Sequence, residues 1–177
     1  MSTLYVDNLQ PNLGSRVMAA GHVVQVLQTN YTGTTSVTGT SFTELTDLAI
    51  TITPTSSSSK ILWSCSIAQG EGSDAFPAYR LLRDTTVLNL PSTIGSGTAV
   101  TFAGVRTQAS SRDQYLISQL SYQYLDSPNT TSAVTYKVQV RPMSTDSRTF
   151  YLNRSQTIGD ANQLTATSTI TVMEIAQ

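Results

Sequence analysis

Charge is scarce in this chain. Charged side chains make up 12% of its 177 residues, about half of what an ordinary soluble domain carries. Ten basic residues stand against eleven acidic ones, and the net charge is -1. No stretch gathers the basic residues into a block, so the footprint that nucleic acid or an anionic membrane requires is missing, and both partners are set aside. There is one cysteine and one histidine. Cys65 cannot form an internal disulfide, and its place between Trp63 and Ile67 at apolar positions marks it as a small buried hydrophobe. His22 is the one imidazole around which a Ser-His-Asp triad could be built, and no nucleophile elbow accompanies it, so a cap or interface role is expected instead. Zinc would have to be held by one His, one Cys and dispersed carboxylates, far from the clustered spacing of such sites. No apolar run approaches the roughly 20 residues of a membrane span, and the N-terminus lacks a basic start followed by an apolar core. These absences point to no cofactor and no metal.

The hydroxyl residues fill the space that charge leaves, with 28 Thr and 23 Ser. Thr and Val suit pleated, half-buried positions, and a surface repeated and buried between subunits would also be short of Lys and Glu. The length suits one domain with a real core. Its periodicity is that of strands. In SAVTYKVQVRP, Val134, Tyr136, Val138 and Val140 fall on one face, while Thr135, Lys137, Gln139 and Arg141 fall on the other, because side chains alternate along an extended chain. LAITIT puts Leu48, Ile50 and Ile52 together, and KILWSCSI does the same for Ile61, Trp63, Cys65 and Ile67. Further strands are expected at HVVQVLQ, AYRLLR, TVLNL, TAVTFAGV, QYLISQLSYQYL, TFYLNR and STITVMEIA, with AYRLLR and TVLNL joined as a hairpin through Asp84-Thr85. TNYTGTTSVTGTS, rich in Gly and Thr, reads as a loop. Nine or ten short strands predict an all-β, antiparallel β-sandwich or jelly roll over residues 22–177, preceded by an extended arm over residues 1–21.

Other candidate chemistry is thin. Glu71 and Asp74 could share a calcium ion on a loop, but they lack the acidic spacing of an EF-hand and read more simply as a solvated turn. The acidic residues are scattered singly, so no glycosidase-like carboxylate pair stands out. Asn30-Tyr31-Thr32, Asn129-Thr130-Thr131 and Asn153-Arg154-Ser155 match the glycosylation acceptor pattern, which chance alone supplies in so hydroxyl-rich a chain. Tyr115, Tyr122, Tyr124, Tyr136 and Tyr151 could stack on sugar faces, although inter-sheet packing explains most of them.

Six segments taken in order, STLYVDNLQ, HVVQVLQ with its Thr-rich loop, LAITITPTSSSSKIL, YRLLRDTTVL, SAVTYKVQVRP with TFYLNRS after it, and STITVMEIAQ, resemble a family of virion structural proteins of tailed bacteriophages, notably cyanophages. The resemblance spans nearly the whole chain. It implies a fibre-like or knob-like module, similar in strand layout to the trimeric jelly rolls of C1q and tumour necrosis factor, located on the phage particle. It further implies a non-enzymatic homotrimer bound to other virion proteins of capsid, neck or tail. The arm, through Leu4, Tyr5, Val6, Leu9 and Leu13, would dock onto the particle; being about 21 residues long, it reaches at most about 70 Å, so no fibre shaft is expected. Val172, Met173 and Ile175 are the candidates for the trimer seam, and Glu174 among them would need a partner. Tyr115, Tyr122 and Tyr124 are the candidates for a host-glycan surface. Capsid decoration is the alternative job, and a glycan-degrading enzyme the more distant rival.

Overall fold

The computed structural model describes residues 19–70, 76–104, 113–143, 148–159 and 161–177. The expected docking arm, through Leu13, and the Glu71/Asp74 turn lie outside them. Eleven strands and a single 3-10 turn at Asp113–Tyr115 make up the regular structure of the described residues. The strands are β1 (Val23–Tyr31), β2 (Thr35–Thr38), β3 (Thr43–Ile52), β4 (Lys60–Gly70), β5 (Phe76–Arg83), β6 (Thr86–Leu88), β7 (Phe102–Ala103), β8 (Ile117–Asp126), β9 (Val134–Met143), β10 (Thr149–Leu152) and β11 (Ser168–Ile175). All pairings are antiparallel. One sheet runs β1-β11-β4-β10-β2, with β8 on the other side of β4; the second runs β3-β9-β5-β6, with β7 also on β5. Successive strands cross repeatedly between the sheets, and the result is the antiparallel β-sandwich that the alternation predicts.

The core lies between the sheets. Val134, Tyr136, Val138 and Val140 of β9 are buried, as are Leu48, Ile50 and Ile52 of β3 and Ile61, Trp63, Cys65 and Ile67 of β4. Each fully buried aliphatic or aromatic side chain of this kind contributes about 1.5–3 kcal/mol relative to exposure. The register of β3 against β9 slips between Glu44 and Ala49, and the irregularity lets Leu45 and Leu48, three apart, both turn inward.

Departures from the expected strands have local causes. The Gly/Thr-rich segment after β1 contains β2, which pairs with β10; only Val37 of its four residues is buried, so its apolar signal is a single side chain. The segment read as TVLNL stops at Leu88, because Asn89 takes φ 51°, a left-handed conformation that leaves the ladder. Asp84 in the hairpin turn has φ 53° and is tied to the start of β9 by two bonds: its N–H donates to Thr135 O at 2.7 Å, and its Oδ1 accepts from Thr135 N at 2.9 Å. The described chain enters beside its own end. Gly21 N donates to Ala176 O at 2.8 Å, and Ala176 N donates to His22 O at 2.9 Å, so His22 takes part through its backbone.

Asp126 bridges the sheets. Its Oδ2, on β8, accepts from Arg83 Nη1 of β5 at 2.6 Å and from the Tyr136 hydroxyl of β9 at 2.7 Å. Burial pushes the Tyr136 hydroxyl up, and the Asp126 carboxylate adds to the shift. For Arg83 burial acts downward, but the bond to Asp126 and its charge outweigh it and the guanidinium is held above its usual value.

Cys65 is 6% exposed and free. Burial pushes its thiol up to about 12, against a small opposing effect of the Tyr122 backbone. Since the thiolate is the reactive form, Cys65 is expected to stay unlabelled by Ellman's reagent in the native protein and to react with one equivalent once guanidinium unfolds it. Rapid native labelling would contradict this placement.

Candidate functional site

The two outer faces of the sandwich differ sharply in chemistry. On the first sheet the register aligns Val26 with Met173, Gln28 with Thr171 and Asn30 with Thr169; Thr169, Thr171, Met173 and Ile175 align with Ser66, Ser64, Leu62 and Lys60; and Ser66, Ser64 and Leu62 align with Ser121, Gln123 and Leu125. Across β1, β11, β4 and β8 the outward positions carry one charge, Lys60. The two other charged residues of these strands, Glu174 and Asp126, are turned inward and buried. Val26 is 52% and Leu125 47% exposed, while Leu62, Met173 and Ile175 are half-buried. An open depression of about 450 Å³ lies on this face, lined by Ser64, Cys65, Ser121, Tyr122 and Gln123.

Of the expected seam residues, Met173 and Ile175 stand on this outer face. Val172 does not: it is fully buried in the chain's own core, paired in register with Trp63, and it is withdrawn from any subunit seam. Glu174 finds its partners inside the chain. It accepts from Gln25 Nε2 at 2.7 Å, from Thr55 N at 2.8 Å and from Thr55 Oγ1 at 2.7 Å. Burial works to raise its carboxyl, but these hydrogen bonds outweigh it and hold the group below the usual carboxylate range.

The tyrosines do not form an open sugar platform. Tyr122 stacks on Phe102 at 4.8 Å between centroids and 11° between planes, Phe102 stacks in turn on Tyr79 at 4.8 Å and 8°, and Phe150 meets Tyr79 edge-on at 6.0 Å. The Tyr122 hydroxyl accepts from Asn89 Nδ2 at 2.5 Å. Tyr124 packs against the core, and Tyr115 sits apart in the 3-10 turn. Tyr122 and Tyr124 lean inward because they share the face of β8 that opposes Cys65 and Trp63. The same logic governs the acceptor triplet at Asn153, whose side chain is fully buried with both amide hydrogens bonded, to Tyr31 O and to Gly33 O, each at 2.8 Å.

The second sheet presents charge. Arg80 of β5 and Arg141 of β9 both lie against Phe42, which precedes β3, with guanidinium carbons 3.9 Å and 6.0 Å from its ring centroid. Beside them Lys137 pairs with Glu44 at 3.2 Å. Nothing in the sequence marks this cluster, since its members are far apart and only the β3-β9-β5 register joins them. Among the described residues no group of three His, Cys, Asp or Glu side chains could hold a metal ion, and no helix is long and apolar enough to cross a membrane.

No protein family model matches the chain, and no curated protein matches it. Among solved structures, the structure of infectious bursal disease virus, Gx strain, overlaps it with a TM-score of 0.43 and 9% identity, covering 98% of this chain and 42% of that one. The chain thus spans less than half the length of that neighbour, and an overlap at this level carries no argument about function.

Proposed function

We propose that the chain is a non-enzymatic structural protein of a virion, a homotrimer whose sandwich forms a surface head on the particle and whose N-terminal segment attaches it to other virion proteins. The observation that carries the reading is the outer face of the β1-β11-β4-β8 sheet. A surface meant for water usually mixes both signs of charge, whereas this one offers hydroxyls, amides and the side chains of Val26, Leu62, Leu125, Met173 and Ile175. Depletion of charge beside a continuous apolar row, Val26, Met173, Leu62 and Leu125 in register across four strands, matches the charge-poor composition of a subunit interface core. The resemblance of six segments, in order, to tailed-phage virion proteins supports the setting. A fibre or knob near the host is the finer reading that this resemblance favours.

Light scattering tests the assembly. The purified chain is expected to run at three times its own mass, and Met173→Glu, which places a carboxylate in that apolar row without touching the core, is expected to run as a folded monomer. A native chain that is monomeric at micromolar concentration, or a trimer indifferent to Met173→Glu, would remove the proposed seam. Immunogold against residues 22–177 on intact particles tests the setting: gold on the particle supports a virion protein, and unlabelled particles would end that reading.

A further inference from the structure

We propose that the outer face of the β3-β9-β5-β6 sheet carries an oxyanion site, built by Arg80, Arg141 and Phe42, that takes the carboxylate or sulfate groups of an acidic polysaccharide. Arg80 and Arg141 are neighbours across the β5-β9 pairing, Arg80 opposite Gln139 and Arg141 opposite Ala78. Both guanidinium groups lie within 6.0 Å of one phenyl ring. Each has its Nε buried without a hydrogen-bond partner, while both side chains are only half-buried as a whole, so the part left to meet a ligand is the Nη end of the fork. Neither is in an ion pair among the described residues. Glu44 is in register with the same Gln139 that Arg80 faces, yet its carboxylate goes to Lys137.

Two like charges held against one ring repel each other, and the ring face offsets only part of that cost. A planar carboxylate or a sulfate answering the Nη forks removes the repulsion and gains charge-assisted hydrogen bonds. A saccharide is the fitting bearer. Around the arginines the face carries the Gln139 amide in register with Arg80, the Lys137–Glu44 pair, whose charges offset each other, and, farther along, the Thr51–Thr135 hydroxyl pair, groups that hydrogen-bond sugar hydroxyls. Two isolated cations do not make the extended stripe that tracks nucleic-acid phosphates. The exposure of this face in an assembly rests on the trimer reading, which buries the opposite sheet.

The test titrates the full chain at low salt with polygalacturonate, dextran sulfate, neutral dextran and poly-L-glutamate, tracking binding by calorimetry and assembly mass by light scattering on the same samples. Polygalacturonate or dextran sulfate is expected to bind and neutral dextran not, and whichever binds tells carboxylate from sulfate. Arg80→Gln and Arg141→Gln are each expected to weaken that binding about tenfold or more, as loss of a charge-assisted contact does, while Lys60→Gln on the opposite sheet changes it less than about twofold. A melting curve for each variant separates lost binding from lost fold, and Arg141→Lys, which keeps the charge but not the fork, is expected to fall between. Failure of both acidic polysaccharides to bind, an equal loss in Lys60→Gln, or tighter binding of poly-L-glutamate would overturn the assignment. A monomeric mass with this binding intact would instead count only against the trimer.

Discussion

Replacing Asn153 by aspartate is expected to destabilise the chain by about 3 kcal/mol or more, which for a domain of this size lowers the melting temperature by roughly 6–12 °C. Asn153 directly follows β10 in the left-handed conformation, φ 60°, and is fully buried. Its Nδ2 donates to Tyr31 O and Gly33 O, its Oδ1 accepts from Ser168 Oγ at 2.5 Å, its N–H donates to Ala68 O at 2.9 Å and its C=O accepts from Ala166 N at 2.9 Å. One side chain therefore ties the ends of β1, β10 and β11 together. Aspartate would turn an oxygen towards the two carbonyl oxygens of Tyr31 and Gly33 and bury a charge there. Alanine would remove the donors that Tyr31 O and Gly33 O take from this amide, would leave the Ser168 hydroxyl with only the Ala68 N–H, and would hold a β-carbon at positive φ. Thermal melts by circular dichroism check the pair: a loss below about 1 kcal/mol in both variants would show that the junction tolerates rearrangement.

Glu174→Ala is the second large effect, expected at about 2–4 kcal/mol near neutral pH. The substitution strands Thr55 N and Thr55 Oγ1, and one of the two hydrogens of Gln25 Nε2, whose other goes to Thr53 O, at a site where Glu174 is 0% exposed. Glu174→Gln keeps the shape but turns an NH₂ towards one of these donors, so it is expected to cost less than alanine and still to be measurable. The two variants also differ from the native chain in their response to acid. Because the folded chain holds this carboxyl below its unfolded value of about 4.3, its contribution is complete above that pH and is lost as pH falls through the lower, folded value. Native stability should therefore drop across that acid window by more than the Glu174→Gln stability does. Urea midpoints from pH 7 to pH 3 measure the difference, and parallel curves for the two proteins would deny the carboxylate its role.

Strand alternation carried most of the fold because its signal is local. In β9 every second residue is apolar, and the same four residues prove to be buried. Cys65 is legible for the same reason. β2 escaped because a four-residue strand beside a sheet corner needs only Val37 inside. The seam candidates show where local reasoning ends. Met173 and Val172 are adjacent apolar residues, and a sequence cannot say which of two apolar faces meets the chain's own second sheet; register against Trp63 and Leu62 assigns Val172 to the inside and Met173 to the outside. The tyrosines of β8 were open to two readings until Phe102, far away in sequence, took up the ring of Tyr122. The Asn153-Arg154-Ser155 triplet, a chance match to the acceptor pattern, records neighbours along the chain and says nothing of the Tyr31 and Gly33 carbonyls that occupy its amide. The arginine pair lies beyond sequence reading altogether, since residues 42, 80 and 141 meet only through three strands in register.

The backbone bonds between Gly21 and Ala176 and between Ala176 and His22 make the sandwich convenient to re-engineer. Both ends of the described chain leave from one corner, so a passenger attached behind Gln177 emerges next to whatever is attached ahead of Gly21. A linker of a few residues could join these two points, and new ends could be opened at an exposed turn such as the one between β8 and β9, which gives a circularly permuted scaffold with the same strand pairings. For display on a particle or a bead, the arrangement allows tether and cargo to share one corner of the sandwich.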